Sequence, residues 1–206
     1  MADTKCKTCR RSGQKLFLKE GKCFSPKCAY SRKSYPPGVR VKRPKRTSEY
    51  GLQLREKQKL KFLYGIREKQ FVNYVKKAME TGGSNIGANL IELLESRLDN
   101  VVYKMGLAQS RSTANQMVGH GHISVNGRRV TIPSFQVKKS DKISIRSGSA
   151  SKKIFADLDT TLKKFEGPDW MKMDKEKKEA EIVKLPFDDD AKRSVNLNSI
   201  IEFYSR

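Results

Sequence analysis

The eighteen residues from position 110 to position 127 leave the chain the least freedom. Ser110 can accept a hydrogen bond from a free N–H of a first helical turn. Ala114, Met117 and Val118 then recur three to four apart, which buries one face and turns Arg111, Asn115 and Gln116 outward. Gly119 and Gly121 stop this helix, and Ile123 and Val125 alternate with Ser124 as a half-buried strand does. Asn126-Gly127 is the strongest short signal for a tight hairpin turn. Arg128 and Arg129 open the return strand, Val130 and Ile132 continue it, and Pro133 closes it. Another strand over 142–146 follows a turn at Ser140-Asp141. The expectation is a helix, a corner and a hairpin with a polar, partly basic outer face.

Upstream, helical periodicity dominates. Ser48 caps a helix over 49–64, in which Tyr50, Leu54 and Leu60 lie among Arg55, Lys57, Lys59 and Lys61, and Gly65 marks its end. Phe71, Val72, Val75, Ala78 and Met79 define a second helix before Gly82-Gly83. Ser84 or Asn85 caps a third, whose stripe Ile86, Leu90, Leu93, Leu94, Leu98 and Val101 runs through to Gly106. Stripes at this spacing are core. Downstream, Ile154, Leu158, Leu162 and Phe165 fit a helix ended by Gly167-Pro168. Trp170-Met171 and residues 182–185 read as two strands around a solvated turn at 174–178. The fold class is therefore α+β.

Charge gives the first functional clue. The chain has 206 residues with 44 Lys or Arg against 22 Asp or Glu, a net charge of +22. Such an excess suits a polyanion, because each phosphate neutralised releases condensed counterions. The excess is uneven: residues 1–62 hold 19 Lys or Arg and 4 Asp or Glu, a net of +15, leaving +7 for the rest. Only 10 of those 62 residues are Leu, Ile, Val or Phe, too few to bury a core unaided. No run of apolar residues is long enough to span a membrane, and the N-terminus lacks a signal-type apolar stretch, so a soluble cytoplasmic protein is expected.

The thin N-terminal segment holds all four cysteines, Cys6, Cys9, Cys23 and Cys28. Two close pairs across a short loop let four thiolates converge tetrahedrally, which suits a structural Zn2+ that would supply the missing folding energy. Iron–sulfur clusters also take four cysteines. Disulfides are disfavoured in a reducing cytosol. Lys5, Lys7, Arg10 and Arg11 surround the first pair and would face phosphates once a metal fixes the loop. From 33 to 46, three prolines and a glycine forbid a continuous helix, so Lys33, Arg40, Lys42, Arg43, Lys45 and Arg46 form an extended basic arm.

Together, Ser110-Arg111, the run 118–123, Val125-Asn-Gly127, Ile132-Pro-Ser134 and Asp141-Lys-Ile143, preceded by 97–103, resemble the RNA-binding module named after small-subunit ribosomal protein S-four. The flanks, at 54–60, Tyr64-Gly65, 93–102 and 201–206, are similar to the bacterial ribosomal protein family itself. The resemblance spans the chain from Cys6 to Arg206. It implies three parts: a zinc-binding segment and basic arm over 1–46, a helical domain over 47–96 joined by the tail 192–206, and an inserted RNA-binding α/β domain over 97–191 with its core module at 97–146. It further implies binding to 16S-type ribosomal RNA of the small subunit, a role in nucleating assembly, contacts with neighbouring small-subunit proteins and the messenger, and a share in translational accuracy. The RNA-facing residues expected are Lys5, Lys7, Arg10, Arg11, Arg40, Lys42, Arg43, Lys45 and Arg46 with Arg55, Lys57 and Lys59, then Arg97, Asn100 and Tyr103, and in the module Ser110, Arg111, Gln116, His120, Gly121, His122, Asn126, Arg128 and Arg129. Two positions depart from the family: Gly119 stands where a basic residue is common, and Ser140 replaces the usual glycine before Asp141.

Other functions fit less well. His120 and His122 have no third ligand nearby, so hydrogen bonding at the corner is the simpler role. No nucleophile elbow, phosphate-binding loop or His-Glu-x-x-His occurs, and the carboxylates at 188–190 read as a solvated acidic patch. An RNA-modifying enzyme or RNA-binding regulator using the same module is the alternative, but about 60 residues after the module are too few for a catalytic domain. A zinc-dependent DNA-binding regulator lacks a finger-type helix after its cysteines. A non-enzymatic protein with no small-molecule substrate is expected.

Overall fold

A computed structural model describes residues 4–39, 46–81, 85–156, 158, 162, 165, 167–185 and 195–205. The chain divides into two compact units, Met1–Leu90 with Asp189–Arg206, and Ile91–Asp188. The cysteine-bearing segment and the helical region, read from the sequence as separate parts, thus share one unit, in which the first helix packs against the long fourth one.

The first unit begins with three short helices, α1 (Thr4–Ser12), α2 (Glu20–Phe24) and α3 (Ala29–Arg32), followed by α4 (Glu49–Tyr64) and α5 (Glu68–Glu80). The Ser48 hydroxyl caps α4 by accepting from the Gly51 N–H at 3.2 Å, and Gly65 ends it. Its buried face is Gln53, Lys57, Leu60 and Tyr64, whereas Tyr50 is 52% exposed. The C-terminal helix Leu197–Tyr204 explains this choice, because it packs on α4 and brings polar partners with it. Gln53 Nε2 donates to Glu202 Oε2 at 3.1 Å, and Lys57 Nζ lies 4.6 Å from the Phe203 ring centroid. Glu68 at the start of α5 receives Lys57 at 2.6 Å, Lys61 at 2.9 Å and the Tyr204 hydroxyl at 2.9 Å. Burial alone would raise the Glu68 carboxyl, but these three donors hold it down to about 2. The expected return of the C-terminal residues to the helical region is present, with Ile200 fully buried.

Helix α6 (Ile86–Glu95) starts in the first unit and ends in the second. The single helix expected from 86 to 106 is instead two, because α7 (Leu98–Lys104) restarts after a break at Ser96-Arg97. The cause is tertiary. The returning segment 133–137 takes the amides: Leu98 N–H donates to Phe135 O at 2.8 Å, Asp99 N–H to Pro133 O at 3.1 Å, and Val137 N–H to Ser96 O at 2.8 Å. Those bonds form a short bridge between Arg97 and Gln136, which also explains why the return strand stops early.

Helix α8 (Arg111–Gly119) leads into an antiparallel five-stranded sheet: β1 (Ile123–Val125), β2 (Arg128–Arg129), β3 (Lys142–Ile145), β4 (Met171–Asp174) and β5 (Glu179–Ile182), in the order β2-β1-β3-β5-β4. The registers Val125↔Arg128 and Ile123↔Ile145 fix the hairpin and its neighbour. Asn126 at φ 50 and Gly127 at φ 76 give the tight turn. Leu98, Val101, Met105, Met117, Val118, Ile123, Ile143 and Ile182 share one core with Trp170. Three expectations shift. Val130 and Ile132 lie outside the return strand, and Ile132 is 59% exposed. The last strand falls at 179–182 instead of 182–185, since its partner is β3 as well as β4. On the 154–165 stripe, Leu158 and Leu162 are buried as expected, but Phe155 points inward and Ile154 outward. Ser140, in place of the family's glycine, is held at φ 69, a left-handed conformation that favours glycine.

Candidate nucleic-acid interface

The corner after α8 builds the surface. Ser110 Oγ accepts from the Thr113 N–H at 3.2 Å and sets where the helix begins. At its other end, Gly121 at φ 72 turns the chain, and its N–H donates to Val118 O at 2.8 Å. The missing side chain matters twice, since a Cβ there would lie 2.2 Å from Arg129 Nε. The Arg129 guanidinium therefore rests on bare backbone, across the corner from its own strand.

His122, expected to face RNA, is a buried part of this corner. Its Nδ1 lies 3.1 Å from Ser149 Oγ, and its ring meets Phe155 edge-on at 6.0 Å. Burial, then the charges of Lys152, His120, Arg129 and Arg146, push its pKa below the ordinary imidazole value, so it is neutral at physiological pH. Those same charges are the useful ones. The Arg146 N–H donates to His122 O at 2.9 Å, which continues the β1–β3 ladder by one residue and places Arg146 beside the corner. Arg128, Arg129, Arg146, Lys152 and His120 are all exposed. Arg129, Arg146 and Lys152 form no ion pair among the described residues. Sequence reasoning misses Arg146 and Lys152; the only cue is that Arg146 closes a strand whose partner starts at the corner.

Several residues expected on this face do another job. Arg97 is 2% exposed and Asp99 4% exposed; Arg97 Nε and Nη2 donate to the Asp99 carboxylate at 3.0 and 2.5 Å, and Asn115 Nδ2 adds a third bond at 3.0 Å. Asn100 is buried, donating to Glu95 and accepting from Arg111 Nε at 2.8 Å. Arg111 also lies 4.7 Å over the Tyr103 ring. Asn100 and Tyr103 thus orient Arg111, Arg97 is held in a buried ion pair with Asp99, and Ser110, 5% exposed, is a cap. Asn126 uses its amide to clasp the turn, donating to Asp141 Oδ1 at 2.8 Å and accepting from Lys142 N–H at 2.9 Å. Gln116 is exposed on α8, as expected.

In the first unit, Lys57 is likewise corrected: it is 6% exposed and committed to Glu68. Lys59 pairs with Glu56 at 2.6 Å. Arg10 clamps the segment at 35–36, donating to Tyr35 O at 3.0 Å and Pro36 O at 3.3 Å. Lys5, Lys7, Arg11, Arg46 and Arg55 are exposed, as a phosphate-facing role needs. Arg40, Lys42, Arg43 and Lys45 lie outside the described residues.

Cys6, Cys9, Cys23 and Cys28 are free thiols that line one cavity with Lys15, Leu18 and Tyr30 among its other walls. Backbone amides point at three of them. Lys19 N–H donates to Cys23 Sγ at 3.3 Å. Burial pushes the Cys9 thiol up, against an opposing bond from the Leu16 N–H, and the Ser31 N–H leads the groups that pull Cys28 down. Among the described residues no three His, Cys, Asp or Glu side chains are drawn close enough to hold a metal. Rotation about χ1 re-aims a sulfur while the backbone frame stays put.

The sequence is similar to known proteins along its length. Residues 1–95 match the family described as Ribosomal protein S4/S9 N-terminal domain, and residues 96–143 match the S4 domain. Over 201 residues the chain is 47% identical to the small ribosomal subunit protein uS4 of Halothermothrix orenii, covering 98% of this chain and 96% of that protein. The chain belongs to the uS4 family. The uS4 proteins of Syntrophomonas wolfei, 45% identical over 205 residues, and Thermus thermophilus, 46% identical over 203, are similar along nearly their whole lengths, with 98% and 96% of each covered and 99% and 98% of this chain. Both units lie within the stretch matched to the uS4 proteins, which covers 98% of this chain. Among the described residues no helix is long and apolar enough to cross a membrane.

Proposed function

We propose that this chain is a structural component of the small ribosomal subunit that binds 16S-type ribosomal RNA directly and helps nucleate assembly, with no chemistry of its own. The observation that carries it is the corner of the second unit, where Arg129, Arg146 and Lys152 converge on a neutral, buried His122 and, among the described residues, meet no carboxylate that neutralises them. Such an array, rigid because its backbone is fixed by the hairpin and by Gly121, suits the phosphates and 2′-hydroxyls through which folded RNA is recognised by shape. Arg128 and His120 extend it. By family likeness its partners are ribosomal RNA, neighbouring small-subunit proteins and the messenger, and its place is on the ribosome in the cytoplasm. Filter binding of the purified chain to structured small-subunit RNA, to single-stranded RNA and to duplex DNA tests this. Preference for structured RNA is expected; preference for duplex DNA would retire the reading.

The same reading gives the four cysteines a structural Zn2+, held by Cys6, Cys9, Cys23 and Cys28. The donor chemistry supports it: four soft ligands around one cavity, with amide N–H groups directed at three of them as thiolates require. The ion would supply cross-linking to a segment with little apolar surface and nothing more. Chelation, or Cys9→Ser, should loosen residues 4–39 and leave the second unit folded. The only tryptophan, Trp170, is buried in that unit and reports on it alone. A Trp170 emission shift on chelation would show that the second unit depends on the metal.

A further inference from the structure

Phe17 and Phe24 hold their rings out in water. Phe24 is 75% exposed and Phe17 46% exposed, in a segment short of apolar residues. Neither lines the cysteine cavity; the neighbours of Phe17 face the other way, with Leu16 buried at 4% and Leu18 forming a cavity wall. The two rings stack on each other, centroids 5.2 Å apart and planes 29° from parallel. Phe17 sits at φ 49, a left-handed conformation that is uncommon for a bulky residue and costs energy. A strained backbone that holds an aromatic ring out in water points to a use for the ring.

The surroundings narrow that use. Lys15 Nζ lies 5.2 Å from the Phe17 centroid. Residues 4–39 carry ten Lys or Arg and one Glu, so an apolar protein partner would have to strip water from a field of cations, while a nucleic acid would meet complementary charge. Aromatic faces framed by cations are how proteins hold unpaired bases: the ring takes the base and the cations take the flanking phosphates.

We propose that the stacked Phe17–Phe24 pair is a platform for one unpaired nucleobase of ribosomal RNA, with Phe24 as the exposed face and Phe17 as its backing. The proposal rests on the RNA-binding reading above and adds a specific single-stranded contact to it.

The test uses the full chain and protein-free small-subunit RNA in filter binding over a salt series. Phe24→Ala should bind about 5- to 150-fold more weakly, the range seen when one base is deprived of an aromatic stack, with the salt slope unchanged because every phosphate keeps its cation. Phe24→Tyr should bind as the parent does. Phe24→Leu, which keeps apolar bulk without a π face, should bind as weakly as the alanine variant; should Phe24→Ala lose its fold by circular dichroism, this variant carries the test. Parent-like binding by Phe24→Leu would overturn the proposal, since apolar contact would then suffice, and so would parent-like binding by a folded Phe24→Ala. Failure of the parent chain to bind would instead remove the RNA-binding reading and the platform with it.

Discussion

Raising monovalent salt from about 50 to 200 mM should weaken binding of the full chain to small-subunit RNA by about three to five decades, the loss for a protein that engages some six to ten phosphates. The net charge of +22 makes a footprint of that size attainable. The structure says which cations should carry it. Arg129, Arg146 and Lys152 are exposed and without ion pairs among the described residues. Replacing all three with alanine should flatten the slope of log K against log salt by about 0.7–0.9 for each phosphate that is no longer neutralised. Lys57→Ala should leave the slope where it is, because Lys57 is buried and already neutralised by Glu68. A flat response of the parent chain, or equal slope changes from Lys57 and the corner triad, would contradict the assignment of the triad to phosphate.

The contrast between Lys57 and Arg146 shows where a sequence runs out. Helix α8, its serine cap, the corner and the Asn126-Gly127 turn are legible because each is a local signal: a hydroxyl before a helix, a stripe at helical spacing, a dipeptide that accepts positive φ. The break at Ser96-Arg97 is not, because the apolar stripe runs straight through it and the competing hydrogen bonds come from residues 133–137. Lys57 lies in a helix full of cations with little amphipathic pattern, and its buried face is defined by Phe203 and Tyr204 from the far end of the chain. Charge in a sequence counts cations without telling which are engaged internally. Arg97, Lys57 and Lys59 are engaged in this way, as is the amide of Asn100. Arg146 and Lys152 stay available to RNA, yet no local pattern marks them. The four cysteines are grouped in the sequence by their spacing, and they line one cavity, though among the described residues no three of them come close enough to hold a metal.

Asp99→Ala should cost the second unit about 3–5 kcal/mol of stability, as much as truncating a large core side chain. Asp99 faces the Arg97 guanidinium in a bidentate pair where both side chains are almost fully enclosed, at 6% and 3% exposure. Removing the carboxylate leaves a cation that water cannot reach and strips a partner from Asn115. With domains typically stable by about 5–15 kcal/mol, that loss brings the unit close to unfolding. Urea unfolding followed at Trp170 reads this unit alone. The double variant Arg97→Met with Asp99→Ala should recover a large part of the loss, because removing both charges removes the desolvation penalty along with the attraction. A fully additive double variant would mean that the cost lies in packing. RNA affinity supplies the second half of the argument, since Asp99 reaches the surface only through neighbours: Asn100, the next residue, orients Arg111, and α7 and α8 pack together. The folded fraction of Asp99→Ala should bind with a reduced affinity but a salt slope near that of the parent, as expected when a side chain is misplaced while the corner still neutralises the same phosphates.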